Sequence, residues 1–201
     1  MKRTLPWLLG VCLCWGVMLC VQATVSPTDR VKQAVEGILV VLQDGKLARE
    51  DLWEQIGSII RQRFDIENMA QSVLATNWKK ATPEEKRDFI EFFSQYLENT
   101  YRNKIEGYTN EEVVFASETV RGERATVETS IVTETVDIPV VYKMRQNDGD
   151  WYAYDVVVEG VSLVRNYRDT FAAIVRSEGM DGLLLNLQDS IAKYKSEQGS
   201  E

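Results

Sequence analysis

The sequence contains no histidine, and its three cysteines, Cys12, Cys14 and Cys20, all fall within the first twenty residues. Past that point the chain lacks the usual zinc ligands and both common nucleophile–base pairs, Ser–His and Cys–His. Catalysis would have to rest on carboxylates, Tyr, Lys or Ser alone, which weighs against an enzyme. A segment without cysteine also has no disulfide framework and must be held by an ordinary apolar core. Long apolar runs are scarce as well. The run from Trp7 to Val21 is shorter than the roughly 18–20 residues a spanning helix prefers, and no second one follows. Internal repeats and low-complexity linkers are absent.

What the first residues do contain is the three-part pattern of an export signal. Lys2 and Arg3 supply the positive end, the apolar run follows, and Val21-Gln22-Ala23 places small residues at −3 and −1 of a cut before Thr24. Residues 1–23 are therefore expected to be a cleavable secretory signal peptide, with a retained N-terminal anchor as the second reading. No cysteine follows a small residue (Val11, Leu13 and Leu19 precede them), so a lipoprotein signal fits poorly. Removing 23 of 201 residues leaves 178, enough for one domain with a substantial interior. With Lys2 and Arg3 gone, 21 basic side chains face 31 acidic ones, a net charge of −10. Such a chain has no electrostatic footprint for nucleic acid and is repelled by anionic bilayers. Neither nucleic-acid binding nor stable membrane insertion is expected.

From Thr24 to Glu106 the periodicity is helical. Ser26-Pro27-Thr28-Asp29 is a helix start, with Pro27 at the first position and an acid in the first turn. Val31, Val35, Ile38, Leu39 and Leu42 then share one face, which Gly45 ends. A second stripe runs through Leu52, Trp53, Ile56, Ile59 and Ile60. A shorter helix over Phe64–Trp78 turns Ile66, Met69, Val73 and Leu74 inward. Thr82-Pro83-Glu84-Glu85 carries the capping-box pattern, and Phe89, Phe92, Phe93, Tyr96, Leu97, Tyr101 and Ile105 follow at helical spacing.

The period changes after Gly107. Val113–Arg121, Glu123–Glu134, Val136–Arg145 and Asp150–Glu159 alternate and are rich in Val, Thr, Ile and Tyr, with turn residues between them. One face reads Ala125, Val127, Ile131, then Ile138, Val140, Tyr142, Met144, then Tyr152, Tyr154, Val156, Val158. The opposite positions include Arg124, Glu128, Glu134, Lys143, Arg145 and Glu159, so one face is apolar and the other wet. Helix returns after Gly160 with Leu163, Val164, Tyr167, Phe171, Ile174 and Val175. Gly179 is a suitable stop, and a last helix from about Asp181 carries Leu183, Leu184, Leu187 and Ile191. The fold class is α+β: a four-stranded antiparallel sheet with helices packed on one face. A single domain is expected over residues 24–194, with 195–201 a frayed tail.

Trp151 through Tyr167, WYAYDVVVEGVSLVRNY, resembles the toluene-tolerance family, the MlaC-type periplasmic phospholipid-binding proteins of the Mla lipid-asymmetry pathway. The match continues through Arg168 and Phe171 to Gly179-Met180-Asp181-Gly182-Leu183-Leu184. Upstream, Phe64-Asp65, Met69-Ala70, Trp78, Ala81-Thr82-Pro83 and Tyr101 fall in the family's order. The resemblance implies a periplasmic carrier, not an enzyme and without a cofactor, whose sheet and helices part to enclose a hydrophobic pocket for phospholipid tails. It also implies partners: an inner-membrane ABC transporter complex and an outer-membrane lipoprotein–porin complex.

On that reading the lipid-lining candidates begin with Phe64, Met69, Leu74 and Trp78 ahead of the capping box. The aromatic helix adds Phe89, Phe92, Phe93, Leu97 and Tyr101. The sheet adds Val127, Ile138, Val140, Tyr142, Tyr154 and Val156, and the segment after it adds Val161, Tyr167 and Phe171. Lining and core use the same residue types, so the pattern leaves each of these open between the two. Two other functions stay in view. Asp155, with Tyr142 or Tyr154 as a donor, could serve an isomerase-like enzyme on a cone-shaped α+β fold, although alternation turns it away from Tyr154 and a structural carboxylate is the simpler role. A non-lipid adaptor would have a solid core. Arg165, Arg168, Lys79 and Lys80 are candidates for a lipid phosphate or a partner's acids, set against a plain solvated surface.

Overall fold

The computed structural model describes residues 25–107, 112–133 and 135–198. The export signal expected over residues 1–23, and Glu134, lie outside the described residues. Among the described residues five helices and five strands follow in order: α1 (Pro27–Gln43), α2 (Arg49–Arg63), α3 (Ile66–Leu74), a short 3-10 turn (Asn77–Lys79), α4 (Pro83–Glu106), β1 (Glu112–Arg121), β2 (Arg124–Val132), β3 (Asp137–Asn147), β4 (Asp150–Val158), β5 (Val161–Ser162) and α5 (Leu163–Gln198).

The helix starts read from sequence are made by side chains. Ser26 Oγ accepts the Asp29 N–H at 3.0 Å, opening α1. The capping box at α4 is complete: Thr82 Oγ1 accepts the Glu85 N–H at 3.2 Å and Glu85 Oε2 accepts the Thr82 N–H at 2.6 Å. Gly179, at φ 76°, breaks the helical path within α5, as left-handed backbone does. The helix nonetheless continues through Gln198, past the point where a frayed tail was expected.

All strand pairs are antiparallel in the order β1-β2-β3-β4-β5, so the sheet has five strands rather than four. The fifth is two residues long, too short for any alternation to reveal. It folds back because Glu159 (φ 50°) and Gly160 (φ 82°) both adopt positive φ, the requirement of a tight hairpin turn. Beyond it, the link between α2 and α3 covers the same edge of β4: the Asp65 N–H donates to the Ala153 carbonyl at 2.8 Å.

The inward face of β4 departs from simple alternation. Tyr142 pairs with Val156 but Met144 pairs with Ala153, so β4 holds one extra residue. This bulge shifts the phase. Trp151, Ala153 and Val156 are buried, whereas Tyr152 and Tyr154 fall on the other side. Tyr154 lies with the outward-facing Arg124, whose guanidinium sits 5.3 Å from the ring centre and donates to the hydroxyl at 3.2 Å. Placing Tyr152 and Tyr154 on the apolar face is thus corrected by one inserted residue.

Among the described residues, buried apolar side chains form three clusters. The largest joins α3, α4 and α5 through Met69, Val73, Phe89, Phe93, Tyr167, Phe171, Leu183 and Leu187. Its rings interlock: Phe89 stacks on Phe93 at 5.5 Å, and both meet Phe171 edge-on at 6.0 and 6.1 Å. A second cluster packs Val31 of α1 on Ala125, Val127, Met144 and Trp151 of the sheet. A third joins α1 to α2 around Val41, Trp53 and Ile56.

Candidate functional site

Between these clusters lies a cavity of about 510 Å³. Its roof is α1, with Val35, Ile38, Leu39 and Leu42, and its flank is α2, with Trp53, Gly57 and Ile60. The far half of α4 contributes Leu97, Tyr101 and Ile105, and the sheet floor contributes Val113, Ile131, Val140, Tyr142, Met144 and Val156. Many of these apolar side chains are only half-buried although they face inward, because what they face is open space. An apolar wall that no protein atom covers loses dispersion contacts and keeps its transfer energy unrealised, which an apolar ligand restores.

The charges touching the cavity are Arg30, Arg61, Arg63, Glu98, Lys104 and Glu159. Two of them share a partner. Arg30 Nε lies 2.6 Å from Asp150 Oδ1 and Arg63 Nη1 3.5 Å from Oδ2, tying α1 and α2 to the start of β4. Desolvation by itself would raise the Asp150 carboxyl, but the Trp151 backbone N–H and the two guanidiniums outweigh it and hold the carboxyl below its ordinary range. On the opposite wall Tyr101 is hydrogen-bonded to Tyr167 of the helical core, and burial pushes both phenols above their ordinary value. Among the described residues no group of His, Cys, Asp or Glu is placed to hold a metal, and no helix is long and apolar enough to cross a membrane.

The eighteen lining candidates divide. Phe64, Met69, Leu97, Tyr101, Val140, Tyr142, Val156 and Val161 border the cavity. Leu74, Phe89, Phe93, Tyr167 and Phe171 are inside the helical core, with Trp78 and Phe92 packed against it. Val127 lies under α1, Ile138 pairs with the floor residue Ile131 without itself bordering the cavity, and Tyr154 is on the outer face. The aromatic helix therefore serves both purposes in turn: its first half is core against α5, and its second half overhangs the cavity. That α1 forms the roof is not legible in the sequence. Its stripe of Val35, Ile38, Leu39 and Leu42 was visible, but nothing in a stripe says whether it meets another wall or a gap.

Asp155 does not border the cavity. It is 4 % exposed and accepts from Lys143 Nζ at 2.9 Å, Ser162 Oγ at 2.7 Å and the Val164 N–H at 3.1 Å. It anchors the start of α5, where Ser162 Oγ in turn accepts the Arg165 N–H. Arg168 is also structural: its Nε donates to the Ser72 carbonyl at 2.8 Å, joining α5 to α3. The motif residues Phe64-Asp65 divide their work. Phe64 lines the cavity, while Asp65 accepts the Asn68 N–H at 3.0 Å to cap α3 and pairs with Arg145 at 3.2 Å. A second hollow, of about 540 Å³, lies between the 3-10 turn, the start of α4 and α5; Asn77, Lys80, Glu85 and Arg176 line it, so it lacks a continuous apolar wall.

A solved structure of a phospholipid-binding protein from Ralstonia solanacearum, in complex with a phospholipid, has the same fold. It superposes with a TM-score of 0.79 at 21 % identity, covering 85 % of this chain and 99 % of that one. In sequence the chain is 22 % identical over 181 residues to the intermembrane phospholipid transport system binding protein MlaC of Haemophilus influenzae, covering 85 % of each. It is 26 % identical over 132 residues to toluene tolerance protein ttg2D of Pseudomonas putida, covering 64 % of this chain and 61 % of that one. The profile of the family described as MlaC protein matches residues 32–189, and by that match the chain belongs to the MlaC protein family.

Proposed function

We propose that this chain is a phospholipid carrier of the periplasm, taking lipid tails into the cavity between α1, α2, α4 and the sheet. The observation that carries this reading is the cavity itself, about 510 Å³ with walls that are apolar on the helical side and on the sheet side. Each methylene withdrawn from water is worth about 0.8 kcal/mol, so two acyl tails represent roughly 20 kcal/mol or more. A carrier has to shield most of that area, yet release the lipid, so a cavity that substitutes for the bilayer suits the task better than one with strong polar anchors. Cationic side chains at the rim, two of them already paired with Asp150, agree with that requirement. Kinship with the intermembrane transport protein of Haemophilus influenzae supports movement between the two membranes. An inner-membrane ABC transporter complex and an outer-membrane lipoprotein–porin complex are the partners this role needs.

The unit that does this is a single lipid-binding domain over residues 24–194, following a signal peptide cut near Ala23. We read it as a non-enzyme: the carboxylate an isomerase would use, Asp155, is held by three hydrogen bonds away from the cavity. The adaptor reading needs a solid core, and the open cavity speaks against it. Chain expressed with its N-terminal segment and purified from a periplasmic fraction should carry diacyl phospholipid in native mass spectra. Lipid-free protein that also fails to take a labelled phospholipid from vesicles would overturn the reading.

A further inference from the structure

The three buried clusters leave one seam nearly free of apolar packing, the line where α2 passes α4 along the flank of the cavity. The backbones of these two helices scarcely approach each other, and Ile105 is the apolar residue of α4 packed on the α1–α2 cluster. Polar and aromatic side chains span the rest. Trp53 of α2, 2 % exposed, donates from Nε1 to Glu106 Oε1 of α4 at 2.7 Å, and Arg49 Nη2 reaches Glu106 Oε2 at 3.1 Å. Arg102 of α4 lays its guanidinium 4.6 Å from the centre of the Trp53 ring and 5.6 Å from that of Tyr194 on α5, while Nη2 donates to Glu98 Oε1 at 2.9 Å. The space over Gly57 is filled by side-chain ends, and a Cβ there would lie 2.9 Å from Arg61 Nη1 of α2 and 3.3 Å from Glu98 Oε2 of α4.

We infer that Arg102 is a positioning residue: by clasping Trp53 it holds the α1–α2 hairpin against α4, and lipid enters and leaves when that seam parts. The inference rests on the carrier reading above. Two features make the clasp reversible. Arg102 Nε is buried without a hydrogen-bond partner among the described residues, so parting the seam hydrates a group that the closed form leaves unsatisfied. The hairpin also keeps its own support, since Val31 packs on the sheet and α1 packs on α2 around Val41 and Ile56, with Ile105 the contact from α4. Opening therefore costs side-chain contacts and leaves the helical core untouched.

The test measures exchange of a pyrene-labelled phosphatidylethanolamine between the protein and unlabelled phosphatidylethanolamine vesicles. Arg102→Ala removes the stack and the ion pair together and should speed exchange roughly tenfold. Arg168→Ala lowers stability through the α3–α5 contact, away from the seam, and should leave the exchange rate within about twofold of the parent. Beyond the export segment the chain has no cysteine, so a Gly57→Cys/Glu98→Cys pair joined by a short thiol cross-linker should stop exchange while retaining bound lipid. Unchanged exchange in Arg102→Ala, equal acceleration in Arg168→Ala, or full exchange in the cross-linked protein would each overturn the clasp. Parent protein that takes up no labelled lipid at all would overturn the carrier reading and the clasp with it.

Discussion

Phe93 and Leu39 sit on opposite sides of the distinction that matters most in this protein, and truncating each to alanine separates core from cavity wall. Phe93 is fully buried, stacked on Phe89 and meeting Tyr167 and Phe171 edge-on at 5.8 and 6.1 Å. Phe93→Ala removes a ring from a filled interior and should cost about 3–5 kcal/mol, the usual range for Phe→Ala in a core. For a domain of this size that lowers Tm by roughly 6–20 °C. Leu39 lines the cavity, is half-buried, and packs against none of the three buried clusters. Its side chain faces space that is already open, so Leu39→Ala creates little new void and should cost the lipid-free protein less than about 1 kcal/mol. With lipid bound the order reverses in its consequences. Leu39→Ala forfeits apolar contact with a tail worth about 1–2 kcal/mol, so retention should weaken about 5- to 30-fold, while Phe93→Ala leaves retention near the parent value once the protein is folded. Urea denaturation of lipid-stripped protein and competitive transfer to vesicles measure the two quantities separately. Should Leu39→Ala destabilise stripped protein as much as Phe93→Ala, then α1 packs on a filled interior and leaves no open cavity beneath it.

Asp155→Ala should destabilise the protein by about 2–4 kcal/mol, since it unpairs Lys143, Ser162 and the Val164 N–H at once; refolded protein should still take up lipid, which a vesicle-transfer assay checks. Thr82→Ala breaks the capping box of α4 and should cost about 1 kcal/mol by urea denaturation. Acid should remove a contribution from Asp150: its folded pKa is lowered, so the stabilisation is present above the ordinary carboxylate range and is lost as pH falls through the folded value. Asp150→Asn should flatten the decline in stability between pH 5 and 3 (roughly one charge's worth of slope). Alkali acts through Tyr101 and Tyr167, whose folded pKa values are raised: their contribution is whole below the unfolded value of 10.0 and declines above it. Tyr167→Phe should reduce that decline in unfolding titrations, and an unchanged slope would count against the buried phenol pair.

Much of the fold was legible because it is written in local periodicity and turn chemistry. The helical stripe from Val31 to Leu42, the capping box at Thr82 and the glycine breaks at Gly160 and Gly179 each depend on residues within a few positions of one another. Four strands were read in order for the same reason. The fifth escaped because two residues carry no pattern, and the inward face of β4 was right at Val156 and Val158 but not at Tyr152 and Tyr154, because a single inserted residue before Asp155 reverses the alternation on its N-terminal side.

The candidate site was half legible. Leu97 and Tyr101 border the cavity while Phe89 and Phe93, on the same helix and of the same apolar character, are core. That difference is set by what stands opposite: α5 presses rings against the first half of α4, whereas the sheet and α1 stand off from the second. Sequence by itself determined the order of the helices and of the first four strands, the helix caps and the residues available for an apolar interior, because each follows from chemistry close along the chain. Only the tertiary structure decided which apolar residues touch each other and which face a gap, because a gap is a distance between elements far apart in sequence, and hydrophobic residue types are identical on either side of it.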